Sequence, residues 1–205
     1  MVHQAISDDM NPTIRQARQV ALEALKPSDA QLARGLALHA DSVVVESYGF
    51  LPRASIDGEA MARAFEAGAS EIELKDLGEW TAIERIVTVP ALTEEFKAAW
   101  AHAGVTAIFV NAGEEYAQAH IVLKRLAHHT FVADHLRDFC PKAVTAEDIV
   151  AAKQAGRHSL VFTCNAVPLM QQWVSPPEEV RYIRYFHQLG ARMTVSYTHL
   201  TLPTN

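Results

Sequence analysis

Four short apolar runs, each separated from the next by a stretch long enough to hold at least one helix, constrain this chain more than any other feature. They are residues 42–46 (S-V-V-V-E), 105–110 (V-T-A-I-F-V), 159–163 (S-L-V-F-T) and 191–194 (A-R-M-T). Antiparallel neighbours can be joined by a tight turn, whereas parallel neighbours need a crossover of a dozen or more residues. The spacing therefore predicts parallel β/α units whose ligands are received at the carboxyl ends of the strands.

Punctuation between the runs supports the same pattern. Residues 14–25 and 30–39 carry apolar positions at helical spacing, interrupted by Pro27, Ser28 and Asp29. Asp57 caps a predicted helix over 57–68 that Gly68 stops, and a helix over 93–102 ends before Gly104. A long amphipathic helix is predicted over 117–139. Thr145 caps another that ends at Gly156, and Ser175 with Pro176 and Pro177 opens one over 178–189 ahead of Gly190. Residues 69–90 show no clean period, and no firm structure is assigned to them, although Trp80, Ile86, Val87 and Val89 mark a packed excursion.

Composition narrows the function classes. With 205 residues, 49% hydrophobic and 20% charged, the chain has the makeup of a globular domain. A net charge of -6 with interspersed signs excludes an electrostatic nucleic-acid binder. No window reaches the roughly 18 uninterrupted apolar residues of a membrane helix, and residues 1–10 lack the order of a signal peptide, so the default expectation is cytoplasmic. Cys140 and Cys164 are too few for a disulfide framework and read as reduced thiols.

Three segments together resemble the membrane dipeptidase (renal dipeptidase) family of zinc peptidases. They are V-V-V-E-S-Y-G-F at 43–50, G-R-H-S-L-V-F-T-C-N-A at 156–166 and E-E-V-R-Y-I-R-Y-F-H-Q-L-G-A-R-M-T at 178–194, in the family's order and spacing. The resemblance implies an α/β fold: the first half of a (β/α) TIM-type barrel of the metal-dependent hydrolase kind, reaching about the fourth strand. Residues 1–36 then form a helical lead-in and 37–194 the half-barrel. Residues 195–205 (V-S-Y-T-H-L-T-L-P-T-N) carry no closing helix and read as a non-native tail. The family hydrolyses dipeptides with a pair of zinc ions that polarise the carbonyl and supply hydroxide.

Carried over residue by residue, the resemblance sets Glu46 at the family's first acid, Tyr48 at a ligating histidine, Phe50 at a ligating aspartate and Cys164 at the bridging glutamate. A phenol ionises near pH 10 and a phenyl ring has no donor atom, so the expected ligands are substituted. His39-Ala40-Asp41 has the composition of a metal pair but precedes its strand, which places it on the amino-terminal face.

Other residues are expected at the mouth: Asn111, Glu114 and Glu115 after the second strand, and Asn165 beside a buried, inert Cys164. His120, His128, His129 and His135 lack the spacing of a helical zinc site and are expected on a solvated face. The leading expectation is a dipeptidase-like metal-dependent hydrolase, inactive as this chain stands. The alternative is a relative of altered chemistry that binds a small peptide-like ligand. An open half-barrel also exposes apolar strand edges, which favours a homo-oligomer.

Overall fold

The computed structural model describes residues 11–113, 118–165 and 174–194. Helices α1 (Pro12–Leu25) and α2 (Asp29–Asp41) lead into strand β1 (Val45–Gly49). Helices α3 (Gly58–Glu66), α4 (Glu71–Thr88) and α5 (Pro90–Ala103) then precede β2 (Ala107–Asn111). Helices α6 (Ala119–His135) and α7 (Ala146–Gln154) come before β3 (Ser159–Cys164), and α8 (Pro176–Gln188) before β4 (Ala191–Thr194). The strands form one parallel sheet in the order β1-β2-β3-β4. This singly wound order is the one a (β/α) barrel uses, and among the described residues the sheet stays open at β1 and β4.

Local chemistry sets the helix boundaries. Capping boxes pair Ser28 with Gln31, Ser70 with Glu73 and Thr145 with Asp148, so two otherwise unmatched amide hydrogens at the start of each helix find acceptors. Residues 69–90, given no structure from periodicity, are almost wholly helix α4. Its buried Gly78, Thr81, Ala82, Ile83 and Ile86 spread over a wide arc because it packs on both α5 and α6, which hides the usual one-sided stripe. Pro90 forces Val89 out of the helical region (φ -111°, ψ 105°) and starts α5.

Two boundaries differ from expectation. The first strand was expected over 42–46, closed by Ser47 and Gly49. It instead begins at Val45 and runs through Gly49, because pairing with β2 decides its limits: Val45 opposes Ala107 and Glu46 opposes Ile108, then the register slips so that Gly49 opposes Val110. The helix expected over 117–139 ends at His135, where Leu136 leaves helical geometry; Pro141 follows and bars the helix from resuming through Cys140. The tail at 195–205 lies outside the described residues.

Strand alternation divides the sheet. Ile108, Val110 and Ala112, with Leu160, Phe162 and Cys164, join Ile83, Ile86, Val122, Leu126 and Val132 in one core beneath the helices. Ala107, Phe109 and Asn111, with Ser159, Val161 and Thr163, take the opposite face. At the amino-terminal end the sheet is sealed by Phe96, Trp100, Phe139 and His158 in tilted and edge-on contacts. Trp100 Nε1 and His158 Nδ1 both donate to the Val105 carbonyl, at 2.8 and 2.7 Å. No helix among the described residues is long and apolar enough to cross a membrane.

Candidate functional site

The candidate site lies at the carboxyl ends of β1, β2 and β3, where a parallel sheet leaves polar strand ends outside its core. The register slip in β1 between Glu46 and Gly49 sets Tyr48 at the end of the strand, and its hydroxyl donates to Asn165 Oδ1 just beyond β3. That bond spans the width of β2. Between its two ends stands Asn111, 6% exposed, whose Oδ1 accepts the Gly113 amide hydrogen at 3.0 Å. The turn so formed rests on β3: a Cβ at Gly113 would stand 3.3 Å from the Asn165 nitrogen and 3.4 Å from Val122 Cγ2. Glycine permits this approach.

Hydrogen bonding leaves a defined set of groups. With Oδ1 of both Asn111 and Asn165 already accepting, the two amide NH2 groups are the donors that remain, and neither has an acceptor among the described residues. The two primary amides are left with donors to offer and the phenol oxygen with lone pairs.

The other expected positions go elsewhere. Phe50 is 62% exposed. Cys164 has no exposure and sits in the core under the helices, where burial pushes its thiol up to about 11. Glu46 is exposed on the Ile108 side of the sheet, its carboxylate covering the place a Gly49 Cβ would take while Oε1 accepts the Tyr48 amide hydrogen at 3.3 Å. Glu114 and Glu115 lie outside the described residues. His39 stands at the opposite end of the fold with its ring against Gly104, and Asp41 is exposed.

The helix histidines are not uniformly solvated, contrary to expectation. His120 and His135 are exposed, but His128 is half-buried against Trp80, ring centroids 4.7 Å apart, and His129 is 5% exposed. The cause is that α6 is gripped on two sides, by α4 and by β3. His129 Nε2 lies 3.3 Å from the Asn111 carbonyl and its ring 5.8 Å from that of Phe162, while Nδ1 is buried with no hydrogen-bond partner among the described residues. Burial lowers its pKa to about 4, outweighing the Asn111 bond. Adjacent histidines on a helix point about 100° apart, so their different fates were open to prediction only once the helix had a known inner face.

Beside it, α4 and α6 enclose a groove of about 400 Å³ that includes Asp76, Glu79, Trp80, Lys124, Arg125 and His128. Its charges pair internally, Lys124 with Asp76 and Arg125 with Glu79.

A zinc pair does not fit the positions the family resemblance assigns to it. Tyr48 is engaged with Asn165, Phe50 offers no lone pair, and Cys164 is a neutral thiol turned into the core. Among the described residues no group of three or more His, Cys, Asp or Glu side chains is arranged to hold a metal ion.

No protein-family model matches the chain, and no curated protein does. Among solved structures it is similar to an amidohydrolase from Pseudomonas aeruginosa, with a TM-score of 0.47 and 15% identity over 82% of this chain and 38% of that one. It is also similar to the dipeptidase AC, a metallopeptidase, with a TM-score of 0.38 and 15% identity over 55% of this chain and 39% of that one. The chain thus spans under two fifths of the length of either structure.

Proposed function

We propose that this chain is the first half of a dipeptidase-like hydrolase barrel whose strand-end mouth binds a small peptide-like ligand without a zinc pair. The observation that carries the reading is the Tyr48 to Asn165 hydrogen bond over Asn111. It fixes the Asn165 amide, as the Gly113 amide hydrogen fixes that of Asn111, with their NH2 groups unspent, and a peptide carbonyl is the complementary acceptor. Hydrolysis would need an activated water, through a metal or a general base near neutral pH. Tyr48, Asn111 and Asn165 offer only a phenol and two neutral amides, so they support recognition better than bond cleavage.

The test uses the full chain. A panel of dipeptides is titrated against it by NMR, bound metal is quantified, and turnover is assayed with added zinc or manganese. The expected result is saturable binding that Tyr48→Phe weakens by about three- to tenfold, the loss of one hydrogen bond, with no chelator-sensitive turnover. Stoichiometric metal with chelator-sensitive hydrolysis would overturn the reading in favour of a working dipeptidase. Absence of binding across the panel would overturn it as a peptide site.

A further inference from the structure

The Asn111–Gly113 turn hangs on a buried histidine that sits outside the ligand-facing group. Among the described residues the group within reach of His129 Nε2 is a carbonyl, an acceptor, so Nε2 carries the hydrogen and donates. Nδ1 then carries a lone pair in a buried position with no partner among the described residues. Asn111, whose carbonyl receives that bond, uses its own side chain to fold Gly113 back, and Gly113 packs on Asn165. One chain of contacts therefore runs from the imidazole through the end of β2 to both asparagine amides.

We infer that His129 is a positioning residue for the strand-end site: as a neutral imidazole protonated at Nε2 it holds the Asn111–Gly113 turn against Asn165, and so sets the spacing of the two amides. The inference deepens the ligand-binding reading above and rests on it for its purpose, though the linkage itself is a property of the ligand-free chain.

Surroundings reinforce the neutral form. His128 and Arg125 on the same helix and Arg53 on the loop after β1 all disfavour a second positive charge at His129. On α4, Glu79 is already matched to Arg125 by two hydrogen bonds. On the sheet side stand Asn111 and Phe162, neither ionisable. A proton arriving at Nδ1 would find no acceptor among the described residues and would strain the turn instead of tightening it.

The experiment reads the turn directly. In the full chain labelled with nitrogen-15, the His129 ring signals are expected to report the neutral Nε2–H tautomer from pH 8 down to about 5. His129→Leu is expected to move the Gly113 and Asn165 amide resonances and to weaken alanylalanine by about tenfold. His129→Gln carries an amide donor at a similar reach and is expected to restore both to within about threefold. A space-filling role alone would not separate Leu from Gln in this way.

If the ring is charged or protonated at Nδ1 at neutral pH, the inference fails without any variant being made. It fails equally if His129→Leu folds and leaves Gly113 and Asn165 unmoved, or if Gln restores nothing. If alanylalanine does not bind the unaltered chain while the resonances shift with Leu and return with Gln, the positioning role stands and the peptide-binding reading falls.

Discussion

The Arg125 guanidinium meets the Glu79 carboxylate through two hydrogen bonds of 3.1 and 2.8 Å, tying the middle of α6 to the middle of α4. Burial raises the Glu79 pKa, but the hydrogen bond and charge of Arg125 outweigh it, so the carboxyl lies below its ordinary value. The two side chains are 10% and 19% exposed, enough burial for an unmatched charge to be costly. Glu79→Ala is expected to destabilise the chain by about 3 kcal/mol, while Glu79→Leu combined with Arg125→Met costs about 1 kcal/mol or less. Urea denaturation of the single and double variants measures both. Equal losses would show that the pair acts only as packing.

Cys164 gives a second expectation. Its thiol is held at about 11 and that of Cys140 at about 12, each by burial, and neither has any exposure. The thiolate is the reactive form, so iodoacetamide at pH 8 is expected to leave both cysteines unlabelled in the folded chain and to modify both in urea. Mass spectrometry reads the outcome, and rapid labelling of Cys164 in the folded chain would place it at an open mouth after all.

Much of the fold was legible because strands announce themselves through side-chain type. The runs at 105–110 and 159–163 lie within a residue or two of β2 and β3, but which of their side chains face the helices was not read, and Cys164 proved to be one of them. The exact limits of β1 were not legible, since a slip against β2 is a property of the pair and not of either strand. Helix α4 was missed although Ser70 and Glu73 spell its capping box, because two-sided packing erased the apolar stripe that periodicity seeks. At the site, Asn111 and Asn165 could be placed from strand ends alone. The approach of Tyr48 to Asn165 depends on strand order, and the burial of His129 on which face of α6 meets β3.

Gly104 closes α5 in the left-handed region at φ +65°, and a Cβ there would come within 2.5 Å of a His39 ring carbon. Gly104→Ala is therefore expected to combine backbone strain with a clash and to lower stability by about 2 kcal/mol. Removing the ring through His39→Ala relieves the clash and leaves about 1 kcal/mol for the backbone. Thermal denaturation of the four combinations separates the two costs, and strict additivity would show that the ring moves aside freely.

His129 links stability to pH in the region below its ordinary value, with His128 and His158, also lowered by burial, adding to the same trend. Its folded value of about 4 lies below the ordinary 6.5, so the unfolded chain takes up the proton first. Stability is thus full above about 6.5 and falls as the pH drops toward 4, by roughly 3 kcal/mol in all. Glu79 acts lower: its stabilisation is present above its ordinary value of 4.5 and fades as pH falls through its depressed folded value. Urea midpoints measured from pH 8 to pH 4 are expected to decline in the unaltered chain and to decline less steeply between 6.5 and 4.5 in His129→Leu, where His128 and His158 still contribute. An unchanged slope would assign the decline to other groups.

The two register slips, in β1–β2 and in β3–β4, bracket a ladder between β2 and β3 that runs over five residue pairs without interruption. A ribosome delivers β2 long before β3, with α6 and α7 in between. Until residues 159–164 emerge, Ile108 and Val110 have only an irregular partner on one side and open water on the other. A nascent chain paused in that interval would be the form most in need of a chaperone. Once the central pair closes, it should become the slowest-exchanging part of the molecule, the centre from which both outer strands fray.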